Sequence, residues 1–160
     1  MKFVIEQVAL FPKDPERAIA FLKKIGAEEW ARDIVIAKGE VFGVQGANVG
    51  ELAFNYNMLG AAKELEVLHY REGPHWMADN CVSHLGMHVK AEELAQWRAF
   101  MAEEGIPVAQ EVLTHLHTNP VIAGKRWYQY VIFDTREILG VDLKFIVRRE
   151  EAPNGTAVQS

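Results

Sequence analysis

Two histidines four residues apart, His84 and His88 in the stretch VSHLGMHV from Val82 to Val89, carry the first visible chemistry of this 160-residue chain. On a helix such a pair shares one face at ~6 Å and can grip a single metal ion. On a strand the two again share a face, but at ~3.3 Å per residue they stand ~13 Å apart, too far for a common ion. The element that holds these eight residues therefore decides which chemistry is open. A second pair, His115 and His117 in LTHLHTN, is spaced by two. On a strand that spacing puts both rings on one face at ~6.6 Å, as pocket-lining acid/base groups or a second metal site, because imidazole titrates near neutral pH. The competing reading is an exposed pair on an edge strand.

An internal duplication settles the element. IEQVALFPKDPERAIAFLKKIGAE from Ile5 and VSHLGMHVKAEELAQWRAFMAEEGIP from Val82 each read as an alternating apolar run, a turn, an amphipathic helix and a glycine. In the first copy Asp14-Pro15-Glu16 gives a cap, a proline at the first helical position and an acid in the first turn. Ala18, Ile19, Leu22 and Ile25 then recur at helical spacing until Gly26 stops the helix. In the second copy Leu94, Trp97, Phe100 and Met101 form the apolar face, with Gly105 and Pro107 beyond it. The register holds across three elements: Gln7 to His84 is 77 positions, Gly26 to Gly105 is 79 and Glu66 to Lys144 is 78. Both copies open on a strand, so His84 and His88 cannot share an ion.

The rest of each half reads as extended structure, over 30–38, 50–58 and 64–70 in the first and 110–118, 126–134 and 141–147 in the second. Gly39, Gly43, Gly46, Gly60, Asn119-Pro120 and Gly124 mark the connections. The reading is α+β: one domain over 1–147, with one module over about 3–71, a second over about 82–147, an inter-module loop over 72–81 and a flexible tail over 148–160.

Composition narrows the partner. With 49% hydrophobic and 24% charged residues the chain is an ordinary globular protein, and its net charge of −5 without a basic cluster argues against nucleic acid. No window approaches the ~18 uninterrupted apolar residues of a membrane span, and no secretory leader is visible, so a cytoplasmic location is expected. The single cysteine, Cys81, excludes a disulfide framework and a cysteine-cluster metal site. Phosphate loops, nucleophile elbows and HExxH helices are absent from the sequence. A small molecule is the expected partner.

With these features the chain resembles the vicinal oxygen chelate superfamily, which includes glyoxalase I, methylmalonyl-CoA epimerase, extradiol dioxygenases and the bleomycin-resistance proteins. IEQVALFPKDPERAIAFL is similar to its opening strand and helix, VSHLGMHV to the start of its second module, and VIFDTREILGVDLKFI to its closing hairpin. The resemblance covers residues 3 to about 147. It implies paired βαβββ modules forming a curved, half-open mixed sheet, and a homodimer. It also implies a divalent metal (Zn, Ni, Mn, Fe or Co) held by Gln7, Glu66 and His84, with Lys144 at the fourth ligand position. Lysine departs from the family's usual glutamate there, since an ammonium repels a divalent cation.

Strand parity places these side chains together. Val141, Leu143, Phe145 and Val147 form one face of the last strand, leaving Asp142, Lys144 and Ile146 on the other. By the same alternation Glu64, Glu66 and Leu68, and His84, Gly86 and His88, face the cavity, while His69 faces a helix. His88 is then a residue of the cavity mouth. The loop REGPHWMADN, 71–80, reads as a lid or dimer contact through His75 and Trp76, or as cover for one edge of the sheet. Among Trp127, Tyr128 and Tyr130, whichever faces the cavity can stack on a flat ligand.

The resemblance implies a metal-dependent lyase or isomerase in which Glu66 is ligand and base and Lys144 is the electrophilic partner of an enolate oxygen. The alternative is a metal-free protein that binds a drug or metabolite, with Lys144 replacing the metal charge in a Glu66–Lys144 salt bridge and Gln7 and His84 hydrogen-bonded around it. A third reading is an interaction protein with a vestigial cavity.

Overall fold

The computed structural model describes residues 1–60 and 63–150. Among these the element order is β1 (Gln7–Phe11), α1 (Pro15–Lys24), β2 (Ala31–Val41), β3 (Val44–Asn55), β4 (Glu64–Glu72), β5 (Cys81–His88), α2 (Ala91–Glu103), β6 (Val108–Thr114), β7 (Trp127–Phe133), α3 (Arg136–Leu139) and β8 (Asp142–Arg149). The expected tail starts too early: Arg148 and Arg149 complete β8, and 151–160 lie outside the described residues. None of the helices is long and apolar enough to cross a membrane.

Local chemistry explains the helices. The Asp14 carboxylate accepts the Arg17 N–H at 2.9 Å and Pro15 opens α1. Its buried residue, Ile19, meets Ala53 of β3 and Val67 of β4. Helix α2 lays Leu94, Trp97 and Met101 on Met87, Val131, Phe133, Phe145 and Val147. Phe100 departs from the expected apolar face: it is 38% exposed and meets Trp97 edge to face, with ring centroids 6.0 Å apart.

The sheet order is β1-β4-β3-β2-β6-β7-β8-β5, with β5 pairing back onto β1, so the sheet is a closed barrel and not the expected half-open curve. Two features close it. β2 and β3 are long, joined by the two-residue turn Phe42-Gly43 with both φ values positive, which carries β2 past Gly39. Gly39, Glu40 and Val41 then pair with Val112, Glu111 and Gln110 of β6. Farther along the seam the strands diverge, and the segment after β6 bridges the gap: Ile36 donates to the Leu116 carbonyl at 3.1 Å and Thr118 to the Ile34 carbonyl at 3.2 Å.

The loop after β4 floors the barrel and does not lid its mouth. Trp76 donates to the Asp142 carboxylate at 2.8 Å, Pro74 accepts from Asn48 at 2.8 Å, and His75 stacks on Tyr70. Met77 is buried beneath Phe11 and Leu68.

Closure depends on a missing side chain. A Cβ on Gly39 would stand 2.1 Å from the Glu111 carbonyl oxygen, whereas one on Gly50 would meet only side chains at 3.8 Å and beyond. Gly39→Ala is therefore expected to lose roughly 1–3 kcal/mol in urea unfolding, the usual range for overpacking. It should also speed exchange of the Phe42 amide, which bonds the Ala109 carbonyl across the seam; Gly50→Ala should leave that exchange unchanged.

Candidate functional site

The barrel encloses a cavity of about 440 Å³, within the size of small-ligand sites. Its walls follow the strand parity. β1 contributes Gln7, β4 Glu64 and Glu66, β5 His84 and His88, and β8 Lys144, Ile146 and Arg148. Aromatic rings line much of the remainder, from Phe54 and Tyr56 to Tyr70, Tyr128 and Tyr130.

Gln7, Glu66, His84 and Lys144 meet on one wall, and all four are buried. The Gln7 amide orders them. Its Nε2 donates to Glu64 Oε2 at 2.8 Å, which turns Oε1 toward His84 Nε2 at 2.9 Å. His84 must therefore carry its proton on Nε2, leaving Nδ1 to accept from Ser83 Oγ at 3.0 Å. Ser83 has one hydroxyl proton, and the imidazole nitrogen is a stronger acceptor than the Met77 sulfur 2.7 Å away. Gly86 makes room for this arrangement, since a Cβ there would stand 2.9 Å from Gln7 Oε1.

Lys144 Nζ lies 3.3 Å from His84 Nε2 and 3.6 Å from Glu66 Oε2, over the face of Tyr130 at 5.0 Å. With His84 protonated on Nε2, the contact between the two nitrogens sets donor against donor and is no hydrogen bond. The ammonium faces Glu66 as a charge and not as a hydrogen-bond donor, and it lines the cavity. Glu66 Oε2 makes no hydrogen bond of normal length; it stands 3.4 Å from His84 Nε2 and depends on the Lys144 charge. Burial opposes ionisation of Glu66, yet Lys144 and His84 outweigh it and hold the carboxyl down at about 2. Burial and the Lys144 charge together pull His84 down to about 4, so it is neutral at pH 7 and its contact with Glu66 is not an ion pair.

These residues do not fit a divalent metal. A metal on Gln7, Glu66 and His84 requires a bare His84 Nε2 and must share the orphaned Glu66 oxygen with an ammonium 3.6 Å from it. Among the described residues no group of three or more His, Cys, Asp and Glu is arranged to hold an ion.

The histidine pairs separate. His88, 40% exposed, bonds Glu6 at the cavity mouth. His115 and His117 do not share a strand face, because β6 ends at Thr114 and the alternation stops with it. His115 stacks on Trp127 and does not line the cavity, whereas His117 does. The strand reading missed Asp33, Tyr56 and Tyr70. Parity would have found Asp33, the one acid in the inward series Ala31, Asp33, Val35, Ala37 of β2.

No family profile and no curated protein sequence matches the chain. Among solved structures, it is similar to a hypothetical protein of Bacillus halodurans C-125, at 16% identity and a TM-score of 0.54, over 94% of this chain and 98% of that one. It is also similar to a methylmalonyl-CoA epimerase in complex with methylmalonyl-CoA and NH4+, at 15% identity and a TM-score of 0.50, over 93% of this chain and 97% of that one. At these identities the likeness is one of fold.

A pH dependence follows from His84. Its folded-state value lies below the ordinary 6.5, so the folded chain binds fewer protons than the unfolded one. That stability is complete above 6.5 and drains away as the pH falls toward 4, at up to ~1.4 kcal/mol per unit. Glu66 does not confound this window, because its own loss begins only below its ordinary 4.5. Urea unfolding at pH 7 and pH 5 should show the loss in the parent, and His84→Gln, which keeps a donor for Gln7, should remove most of it.

Proposed function

We propose that the chain is a vicinal oxygen chelate protein built from two βαβββ copies, and that it binds a small oxygenated organic compound in the barrel cavity with the Lys144 ammonium in place of a divalent ion. The observation that carries this reading is the position of Lys144 Nζ, 3.3 Å from His84 Nε2 and 3.6 Å from Glu66 Oε2, where the metal-binding alternative would require a cation of higher charge. Glu66 and Tyr130 position the ammonium, Gln7 and His84 fix the wall behind it, and a remaining N–H is free to serve a carbonyl or enolate oxygen. Such a contact polarises the carbonyl and favours proton transfer at the neighbouring carbon, the chemistry of an isomerase or lyase. The aromatic walls supply the apolar contact for the rest of the ligand.

The fold likeness supports a small-molecule ligand: the similar epimerase was solved with methylmalonyl-CoA bound. The metal-dependent reading rests on the convergence of Gln7, Glu66 and His84, and one substitution separates the two. Lys144→Glu restores the carboxylate that the resemblance leads one to expect, and should take up one divalent ion per chain from medium supplemented with zinc, nickel or manganese. The parent should carry none by elemental analysis. Stoichiometric metal in the parent would overturn the proposal. For the ligand, NMR titration with 2-oxobutanoate and dihydroxyacetone should shift resonances of Tyr130 and Ile146. Affinity should fall about tenfold in the paired variant Lys144→Met with Glu66→Gln, the value of one lost charge-assisted bond. The pair is removed together so that no buried charge is stranded.

A further inference from the structure

Opposite the Lys144 wall in the strand order lies the β2–β6 seam, and one group there is not used by the site described above. Asp33 and His117 are both buried, with 2% and 6% of their side chains exposed, and both line the cavity. The two oxygens of Asp33 are spent differently. Oδ1 accepts the backbone N–H groups of Thr118 at 2.8 Å and Asn119 at 2.9 Å. Oδ2 faces His117 Nδ1 at 2.8 Å. Burial works against the Asp33 charge, but His117 and the two amides prevail and hold the carboxyl below the usual carboxylate range. An ionised Asp33 only accepts, so His117 holds a proton on Nδ1, and in the neutral imidazole Nε2 is then the bare lone pair. That nitrogen is buried and has no partner among the described residues. The His117 ring meets the cavity-lining Tyr128 ring edge-on, with centroids 5.2 Å apart. A buried lone pair without a donor costs stability, and a carboxylate that fixes the tautomer of a histidine is the arrangement of a general base and its orienting group.

We propose that His117 is the proton acceptor of the cavity, oriented by Asp33, and that the ligand is a small carbonyl compound bearing a C–H bond next to the carbonyl. The carbonyl oxygen is held by Lys144 and the neighbouring carbon lies toward His117. The C–H bond breaks, its electron pair moves into the carbonyl group to give an enolate hydrogen-bonded to Lys144, and the proton passes to His117 Nε2. Return of the proton to the opposite face of that carbon, or to the neighbouring carbon of an enediolate, completes an isomerisation without oxidant or co-reactant, and return to the same face gives exchange with solvent. The inference rests on the cavity and Lys144 reading given above.

A structural role for His117 is the rival, because its bond to Asp33 also ties the segment after β6 to β2. His117→Asn separates the two. The asparagine amide keeps an N–H where Nδ1 stood, so the Asp33 bond survives and only Nε2 is lost. Asp33→Asn works from the other side: its amide donates to Nδ1 and forces the imidazole proton onto Nε2, blocking the lone pair. The assay is exchange of the α-protons of dihydroxyacetone and 2-oxobutanoate in D2O, followed by NMR, with binding read separately from the shifts of Tyr130 and Ile146.

The parent should catalyse exchange, and both variants should lose at least about 100-fold of it with affinity unchanged, the scale of a removed general base. Exchange that persists in His117→Asn overturns the assignment and leaves the cavity reading standing. Binding of either probe to the parent without exchange does the same. Neither binding nor exchange in the parent removes the cavity reading and this inference with it.

Discussion

The buried carboxylate of Glu66 constrains everything around it. With 1% of its surface exposed, it cannot keep its charge unless a cation answers it. Lys144 does so at 3.6 Å, an attraction of roughly 5 kcal/mol at the effective dielectric of protein sites. Desolvating the two ions costs several kcal/mol each, so the pair contributes little net stability and a hydrophobic replacement would serve the fold as well. Its value lies in a fixed ammonium facing a cavity. A divalent ion on the same carboxylate would bring twice the charge, bind reversibly and require a deprotonated His84. A lysine is covalently present and needs no loading, but it offers its charge through three N–H bonds and not through open coordination positions. A lysine at 144 thus sets which oxygen chemistry the wall can support.

The neighbours obey the same constraint. His84 cannot take a second proton beside Lys144, which is why burial and that charge together keep it neutral. Once neutral it must have one donor nitrogen and one acceptor nitrogen, and the Gln7 amide, turned by Glu64, decides which is which. Ser83 and Gly86 follow, one as donor to Nδ1 and the other as the space Gln7 occupies. Two carboxylates thereby settle this wall: Glu66, through Lys144, goes with a neutral His84, and Glu64, through Gln7, sets its tautomer and the need for a glycine at 86.

Much of this wall is legible in the sequence, because period-two alternation and the internal duplication are local signals. Val67 and Phe145 face helices while Glu66 and Lys144 face the cavity, as parity demands. What the sequence hid was non-local. Pairing of Gly39 to Val41 with β6 joins segments some 70 residues apart, and the only local hint is a glycine whose reason to exist is the carbonyl of Glu111. His115 and His117 were misplaced together because alternation was extended past Thr114, where the strand ends. Asp33 is within reach of parity, but its bonds to His117 and to the segment after β6 are contacts the sequence does not show. The place of Tyr56 and Tyr70 in the cavity walls is likewise a matter of strand pairing, which no local pattern shows.

That closure and the second wall are one event. The segment that spans the diverging end of the seam runs through Leu116, His117 and Thr118, and it is held by Ile34, Ile36 and the Asp33 carboxylate. In a half-open sheet β2 would present Asp33 to water, Thr118 and Asn119 would have no buried acceptor, and the His117 ring would have no carboxylate to fix its tautomer. Bonding across the seam brings a carboxylate, two backbone amides and an imidazole into one buried cluster, so that satisfying Asp33 leaves Nε2 as the member without a partner. The two walls are therefore built by opposite logics. On the Lys144 side a charge is buried first and the neighbours adjust to it, whereas on the Asp33 side the backbone closes first and the charge is the device that holds it. The cavity between them inherits a fixed cation on one face and an unpartnered imidazole nitrogen on the other, and a ligand that satisfies both brings an acceptor oxygen to Lys144 and a hydrogen to His117.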